Sequence, residues 1–311
     1  MLRDSCRYKD RILSKPNLTA AWEDVQSKKR APGPDDISVP RWRRNWEANI
    51  ERLIEQVSTN TYYPNRPKRI TVLKKNGNFR ELSLLTVTDK VLQRAFLNVV
   101  EPEFEQRFLN CSHGYRKNRS TATAIQQLLT NRDKGLVWLL DADILGCFDH
   151  IDHEILINLF SRVIKEHFVI ELLKKWLLAG RRHRHQAVGI PQGAVISPLL
   201  CNIYLHQLDA RLTSARWNYI RYADDFVVMT TSIDKALQAK TLVSQSLTAL
   251  RLVLHPEKTN IVSFEHGFTY LGVEFLKSSY RYLWQNKRIQ VKGKDLKILY
   301  RYMPEFYSRG R

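Results

Sequence analysis

The stretch Tyr219-Ile220-Arg221-Tyr222-Ala223-Asp224-Asp225-Phe226-Val227-Val228-Met229 sets two adjacent carboxylates between two short apolar runs. Such runs predict two β-strands joined by a tight turn, with Asp224 and Asp225 at the tip of the hairpin. Two ionised carboxylates side by side repel each other, so a site with little water holds both only beside a cation. Oxygen ligands of this kind suit Mg²⁺, which binds one or two carboxylates together with substrate phosphates.

A second apolar run carries acidic residues where a buried strand normally has none. In the run 136–144, Asp141 and Asp143 are two positions apart and therefore share one face of a strand. Unpaired charge is costly to bury, so these carboxylates need a partner. Two strands that bring carboxylates to one place predict a two-metal site of the phosphoryl-transfer type. Taken alone, Asp224 and Asp225 could be two solvated turn residues, and the second acidic strand argues against that interpretation.

These segments resemble motifs of bacterial reverse transcriptases of the group II intron lineage, of the Tyr-Ala-Asp-Asp type. The resemblance runs from about Ala31 to Phe275 and holds seven segments in the family's order. The matching segments are Ala31–Asp35, His113–Ser120, Asp143–His153, Gly189–Leu200, Arg221–Phe226, Leu254–Thr259 and Phe268–Gly272. The resemblance implies an α+β right-hand polymerase with fingers and a palm, in which helices back an antiparallel palm sheet, and a thumb that is short or absent.

Local patterns divide the chain in the same way. Residues 1–130 combine helical periodicity with a basic hairpin around Asn76-Gly77, which predicts a fingers-like lobe. Residues 131–276 hold the acidic strands and are expected to form the palm with the catalytic motifs. Residues 277–311 mix basic and aromatic residues, a composition that suits phosphate contact and base stacking. This tail is expected to begin a thumb or to substitute for one, and a solvated helix is the alternative.

The resemblance implies an enzyme, an RNA-directed DNA polymerase and therefore a nucleotidyltransferase. It would extend a primer 3′-hydroxyl with dNTPs on an RNA template by two-metal-ion nucleotidyl transfer. One alternative is an RNA-templated RNA polymerase, because the same palm chemistry serves both reactions. The other is an RNA-binding splicing maturase with little polymerase activity. The sequence leaves the biological role open among intron mobility, CRISPR-associated spacer acquisition and antiviral defence.

The resemblance assigns the metal ligands. Asp143 and Asp224 would hold two Mg²⁺ ions, with Mn²⁺ as the alternative metal, and Asp225 would be more peripheral. The backbone carbonyl of Ile144 would complete the shell. Lys258 matches a lysine proposed in the family as the general acid that protonates pyrophosphate; a solvated lysine near a turn is the competing interpretation.

The resemblance also assigns contacts to the incoming nucleotide. Phe148 would abut its sugar and clash with a 2′-hydroxyl, which favours deoxynucleotides; an ordinary core phenylalanine is the alternative. Gln192 and Gly193 would contact the nucleotide and the template strand, because glycine permits close approach of the backbone.

The triphosphate needs a cation, and the resemblance gives this role to Arg80, with Lys74 and Lys75 as second candidates. The family pattern Arg-Pro-Leu-Gly-Ile-Pro-Thr stands here as Arg80-Glu81-Leu82-Ser83-Leu84-Leu85-Thr86. The arginine and threonine match while the residues between them mostly differ, so the sequence does not fix the geometry of this segment.

The charge balance points to a polyanionic partner. The chain of 311 residues has 50 Lys and Arg against 31 Asp and Glu, a formal net charge of +19. The basic residues form separate clusters, which favours nucleic acid over solvated charge on a generic basic protein. The expected partners are an RNA template, a DNA or RNA primer and dNTPs, together with a partner protein or structured RNA that supplies the thumb function.

Cysteine usage and hydropathy bear on location. The four cysteines are scattered without paired spacing, which fits a reducing compartment. The first ten residues lack an apolar signal region, and no apolar run reaches the length needed to span a membrane. A cytoplasmic protein without a membrane partner is therefore expected.

Overall fold

The computed structural model of the chain describes residues 7–28, 31–73, 77, 79–183, 185–284 and 287–292. These residues form helices and antiparallel sheets, so the predicted α+β class is confirmed. The chain packs into two compact units that are interleaved along the sequence. The first unit comprises Met1–Arg107 and Phe148–Ile203, and the second comprises Phe108–Cys147 and Tyr204–Arg311.

The elements follow in chain order. The α-helices of the described residues are α1 (Arg7–Leu13), α2 (Lys15–Ser27), α3 (Val39–Arg43), α4 (Trp46–Ser58), α5 (Val87–Glu105), α6 (Thr121–Arg132), α7 (Cys147–His150), α8 (His153–Ser161), α9 (His167–Gly180), α10 (Ser197–Ser214) and α11 (Ile233–Ala249). The strands are β1 (Lys68–Leu73), β2 (Phe79–Leu84), β3 (Trp138–Asp143), β4 (Asn218–Tyr222), β5 (Asp225–Thr230), β6 (Asn260–Ser263), β7 (Phe268–Tyr270), β8 (Val273–Leu276), β9 (Ser279–Trp284) and β10 (Lys287–Lys292).

In the first unit, helices surround α5. Thr86 caps the N-terminus of this helix, because its side chain accepts a hydrogen bond from the Asp89 backbone N–H. Helices α1, α2 and α4 pack against α5. Phe96 on α5 contacts the rings of Phe160 and Trp176 at centroid distances of 6.2 and 5.0 Å, which ties α5 to α8 and α9. β1 and β2 pair as the predicted antiparallel hairpin.

In the second unit, four antiparallel strands form one sheet in the order β4-β5-β3-β6. Helix α11 packs against β3 and β5, and α6 packs against β4, so helices cover the sheet as the predicted palm requires. A second antiparallel sheet has the order β10-β9-β8-β7. Its apolar side chains share one core with α6 and with the sheet β4-β5-β3-β6.

The predicted basic and aromatic tail begins within this second sheet. Residues 279–284 and 287–292 are β9 and β10, so this part of the tail is a hairpin and not a helix. Tyr280 on β9 is fully buried in the core of the second unit, while residues 293–311 lie outside the described residues. The division into fingers, palm and tail stays a prediction. Among the helices described, none is both long and apolar enough to cross a membrane.

Candidate active site

The acidic residues of two strands meet at one end of the four-stranded sheet. Asp143 is the last residue of β3 and lies directly opposite Asp225, the first residue of β5, in the antiparallel register. Asp224 precedes Asp225 in the turn, and Asp141 shares the Asp143 face of β3. All four carboxylates are half-buried. The structure therefore places Asp143, Asp224 and Asp225 at one end of the sheet, and their role as metal ligands stays a prediction.

The β4–β5 hairpin closes through a turn of two residues. Tyr222 pairs with Asp225, which leaves Ala223 and Asp224 between the strands. Ala223 has a φ of 60°, a left-handed conformation that alanine adopts at a cost. The predicted hairpin is thus present, and its first turn position is strained immediately before the carboxylate pair.

The carboxylates perturb one another strongly. Burial, followed by the charges of Asp141, Asp143 and Asp224, raises the pKa of Asp225 to about 8. Burial and the neighbouring Asp143 raise the pKa of Asp141 to about 7. Like charges this close in a half-buried place disfavour ionisation, so the cluster needs positive charge to become fully anionic.

Lys258 supplies one such charge. It ends a single turn of 3₁₀ helix, Pro256–Lys258, and its Nζ lies 2.5 Å from Asp143 Oδ2. This hydrogen bond is the largest cause of the raised pKa of Lys258, with the charge of Asp143 and then those of Asp224 and Asp225 also contributing. The His255 backbone N–H donates to the Asp143 carbonyl at 2.8 Å, which holds the lysine turn against the end of β3.

The donor set fits a hard divalent cation that completes its shell with substrate. Among the described side chains, no group of three or more His, Cys, Asp and Glu forms a ready metal site. Mg²⁺ is usually held by one or two carboxylates, with water and substrate phosphates completing its six positions. Asp143, Asp224 and Asp225 offer oxygen ligands of that type. Ile144 follows Asp143 directly, bridged to Leu254, so its backbone lies beside them.

The nucleotide candidates Arg80, Gln192 and Gly193 meet in the first unit. Arg80 Nε donates to Gln192 Oε1 at 3.2 Å, and the Ser83 backbone N–H donates to the Gln192 carbonyl at 2.7 Å. Gly193 has a φ of 103°, and a Cβ there would stand 3.0 Å from the Ser83 carbonyl oxygen. The segment 80–86, which the sequence left undetermined, is thus mostly the strand β2, with the loop 190–193 against it.

Phe148 lies in the same unit, at the start of α7. Its carbonyl accepts a hydrogen bond from the Ile190 backbone N–H at 2.8 Å, and its side chain is buried with 8% exposure. The structure therefore joins Phe148 to the loop of Gln192, while its role as a sugar gate stays a prediction. Lys74 and Lys75 lie outside the described residues.

A cavity of about 350 Å³ opens beside this loop, within the range of ligand sites. Its wall includes Arg69, Glu81, Arg182 and Gln192. Glu81 Oε1 lies 2.8 Å from Arg182 Nη2 and 3.6 Å from Arg69 Nε. Glu81 occupies a position where the family pattern has proline, and that departure is the sequence signal for this pairing.

Sequence reasoning missed the residues that hold the carboxylate hairpin. Arg221 and Asp209 form an ion pair whose side chains are both fully buried. Ser112 also contacts Arg221. One signal was present, because Arg221 is a charged residue between the apolar residues Ile220 and Tyr222, and a charge buried in a strand needs a partner.

Comparison with known proteins identifies the family. Residues 72–275 match the family model described as "Reverse transcriptase (RNA-dependent DNA polymerase)". The group II intron-encoded protein LtrA of Lactococcus lactis subsp. cremoris is 38% identical over 180 residues, which are 56% of this chain and 30% of that protein. Protein YkfC of Escherichia coli (strain K12) is 29% identical over 318 residues, which cover 88% of this chain and 84% of that protein.

Among solved structures, the telomerase of Candida albicans in complex with a TWJ fragment of telomeric RNA is similar with a TM-score of 0.55 and 12% identity. The match covers 79% of this chain and 51% of that one, and at this identity it shows a shared fold alone. The chain spans less than a third of the length of the intron-encoded relative.

Proposed function

The chain belongs to the reverse transcriptase (RNA-dependent DNA polymerase) family, and we propose on that premise that it extends a primer 3′-hydroxyl with dNTPs on an RNA template. Its similarity to a group II intron-encoded protein agrees with the lineage recognised in the sequence. The single observation that carries the proposal is the register pair of Asp143 and Asp225, with Asp224 in the adjoining turn. This pairing sets the carboxylates of separate segments at one end of one sheet.

Enzymes of this family use divalent metal ions, and the oxygen-only donor set favours two Mg²⁺ ions at Asp143, Asp224 and Asp225, with the Ile144 carbonyl as a further ligand. When bound, such ions lower the pKa of the primer hydroxyl and neutralise the leaving pyrophosphate. The carboxylates themselves fix where positive charge is held. Their mutual repulsion makes the cluster a strong site for cations and a poor site for anything neutral.

Lys258 is placed to hold and deliver a proton at this cluster. Its Nζ bonds Asp143 Oδ2, and the surrounding carboxylates keep it in the ammonium form through its raised pKa. An ammonium with a fixed direction is suited to protonate a leaving oxyanion. We therefore assign Lys258 as the general acid for pyrophosphate.

In this proposal, Arg80, Gln192 and Phe148 contact the incoming nucleotide. Arg80 presents a planar guanidinium whose donors suit a triphosphate, and Gln192 accepts a hydrogen bond from it. Phe148 would exclude a 2′-hydroxyl. The net charge of +19 supports binding of the RNA template and the primer through their phosphates. The described cysteines form no disulfide, which supports our proposal of a cytoplasmic location.

The test is single-nucleotide and multiple-nucleotide extension of a labelled DNA primer on an RNA template, with dNTPs and NTPs in separate reactions. We expect extension with dNTPs in Mg²⁺, and none with the Asp224→Asn variant. Extension with NTPs alone would replace the proposal with an RNA polymerase. Tight binding of RNA with no extension in either pool would favour a maturase-like protein.

A further inference from the structure

A completely buried arginine lies directly behind the acidic turn. The guanidinium of Arg221, on β4, donates from Nε to Asp209 Oδ1 at 2.7 Å and from Nη2 to Asp209 Oδ2 at 2.6 Å. Both side chains have 0% exposure. Asp209 belongs to α10, so this two-point contact fixes the plane of the guanidinium relative to a helix of the same unit.

The remaining donors of Arg221 reach the turn. Nη1 donates to the carbonyl oxygen of Ala223 at 2.9 Å, and Nη2 also donates to Ser112 Oγ at 2.8 Å. The Ala223 carbonyl belongs to the peptide plane that joins Ala223 to Asp224. Fixing that oxygen therefore fixes the direction in which the chain enters the carboxylate pair.

The segment 111–114 braces the same turn through its backbone. The Arg221 N–H donates to the Cys111 carbonyl and the His113 N–H donates to the Arg221 carbonyl, both at 2.8 Å. A Cβ on Gly114 would stand 2.3 Å from the Ala223 nitrogen, so the two backbones touch and this position has no room for a side chain. His113 bonds Thr123 and Gln127 on α6, each at 2.8 Å, which anchors the segment.

These contacts hold the turn in a crowded place. Asp225 lies opposite Asp143 and directly follows Asp224, so the turn keeps three carboxyl groups close together at the end of β3. A buried ion pair is a poor source of net stability, because apolar residues of the same volume often stabilise as much. The pair instead fixes an orientation. The planar guanidinium binds the Asp209 carboxylate in one geometry, and its remaining donor then fixes the position of the Ala223 carbonyl oxygen.

We propose that Arg221, held by Asp209 and Ser112, is a positioning residue that fixes the Ala223–Asp224 turn so that Asp224 and Asp225 can bind the metal ion in the geometry required for catalysis. The inference rests on the proposed function for its link to polymerisation. Arg221 touches no reacting atom and acts through the turn. Gly114 serves the same role by allowing the backbone of segment 111–114 to contact the turn.

Two conservative variants test the proposal by independent routes. Ser112→Ala removes one hydrogen-bond partner of Arg221 without leaving a charge unpaired, and Gly114→Ala presses a Cβ against the Ala223 nitrogen. The matched control is Ser263→Ala, because Ser263 is buried on β6 of the same sheet and bonds His266 at 2.7 Å, away from the turn.

The measurements are kcat and KM for dNTP, the Mg²⁺ concentration for half-maximal extension, duplex affinity, and the thermal midpoint. A small misplacement of reacting groups lowers rates by up to about a hundredfold, so we expect kcat to fall about tenfold in Ser112→Ala and further in Gly114→Ala. The Mg²⁺ requirement should rise by about threefold or more, since the ion demands near-ideal geometry. Duplex affinity and the Ser263→Ala control should stay near wild type.

A second readout separates this inference from the proposed function. Binding of Mn²⁺ alone to the full chain, followed by the electron paramagnetic resonance signal of the free ion, should weaken in both turn variants and vanish in Asp224→Asn. A wild-type protein that binds Mn²⁺ through Asp224 yet extends no primer would end the proposed function and leave the positioning role to be decided by the turn variants. Lower thermal midpoints with wild-type kcat, Mg²⁺ requirement and Mn²⁺ affinity would show that Arg221 is structural and overturn the proposal.

Discussion

Replacing Asp225 by asparagine is expected to stabilise the folded protein in metal-free buffer while it lowers activity. The Asp225 carboxyl has a pKa of about 8 against an ordinary value of 3.8, with burial as the largest cause and the carboxylates of Asp141, Asp143 and Asp224 next. A group that resists ionisation in the folded state destabilises that state whenever the solution favours ionisation. The acidic cluster therefore lowers the stability of the folded protein, and function requires it despite that cost.

The size of this stabilisation follows from the difference between the pKa of Asp225 in the unfolded chain and its pKa in the folded protein. From about pH 4 to about pH 8 the unfolded chain has released the Asp225 proton while the folded chain retains it, so the free energy of unfolding falls as the pH rises. At pH 7 the distance from 3.8 is about three pKa units, which at about 1.4 kcal/mol per unit sets an upper limit of about 4 kcal/mol. Asparagine cannot ionise, so Asp225→Asn should be about 2–4 kcal/mol more stable near neutral pH.

The assay is urea and thermal unfolding of both proteins in EDTA at several values from pH 4 to pH 8.5. In a unit of this size, 1 kcal/mol shifts the midpoint by about 2–4 °C, so a difference of about 5–15 °C is expected at pH 7. The difference in stability between the two proteins should disappear toward pH 4. Added Mg²⁺ should raise the thermal midpoint of the wild type more than that of the variant. The control is Asp234→Asn, at an exposed residue of α11. A variant less stable than wild type at pH 8, or a gap independent of pH, would refute the reasoning.

Four further predictions address single residues. Asp224→Asn should abolish extension and leave nucleic-acid binding intact, because Lys and Arg carry the binding; parallel loss of both would make the acid structural. Phe148→Ala should admit NTPs in single-nucleotide incorporation, and unchanged discrimination would exclude Phe148 as the gate. Lys258→Gln should slow extension about a hundredfold with a similar dNTP KM, whereas an unchanged rate would contradict proton donation. Glu81→Gln should remove the ionic partner of Arg69 and Arg182, so the dependence of duplex affinity on salt should become steeper by about one phosphate contact. A change in this salt dependence no larger than that of the exposed Glu55→Gln would contradict the prediction.

The family and the acidic cluster could be predicted from the sequence because their signals are local. Asp141 and Asp143 are two positions apart on one strand, and Asp224 and Asp225 fall between two apolar runs. Each pair can therefore be recognised from a few neighbouring residues. The fold class followed in the same way, and the α+β expectation is confirmed. The register of Asp143 against Asp225 did not follow, because pairing between strands far apart in sequence depends on what packs over the sheet.

The structure of the tail, residues 277–311, could not be predicted from its composition. Its mix of basic and aromatic residues suggested a nucleic-acid contact, and composition alone does not separate an exposed aromatic from a buried one. Tyr280 is buried in the core of the second unit, because β9 pairs with β8 and extends a sheet begun upstream. Such pairing is a long-range event, so the residues of the tail gave no periodicity that would have excluded a helix.

By itself, the sequence predicted which carboxylates cluster and which family the motifs belong to, and its charge favoured a polyanionic partner. Only the tertiary structure decided how the cluster is held. The partners of Arg221 are Asp209, Ser112 and the Ala223 carbonyl, and they come from a helix, a distant segment and a turn. No local pattern links them, because a buried guanidinium is satisfied by whatever oxygen atoms the fold brings within reach of its donors.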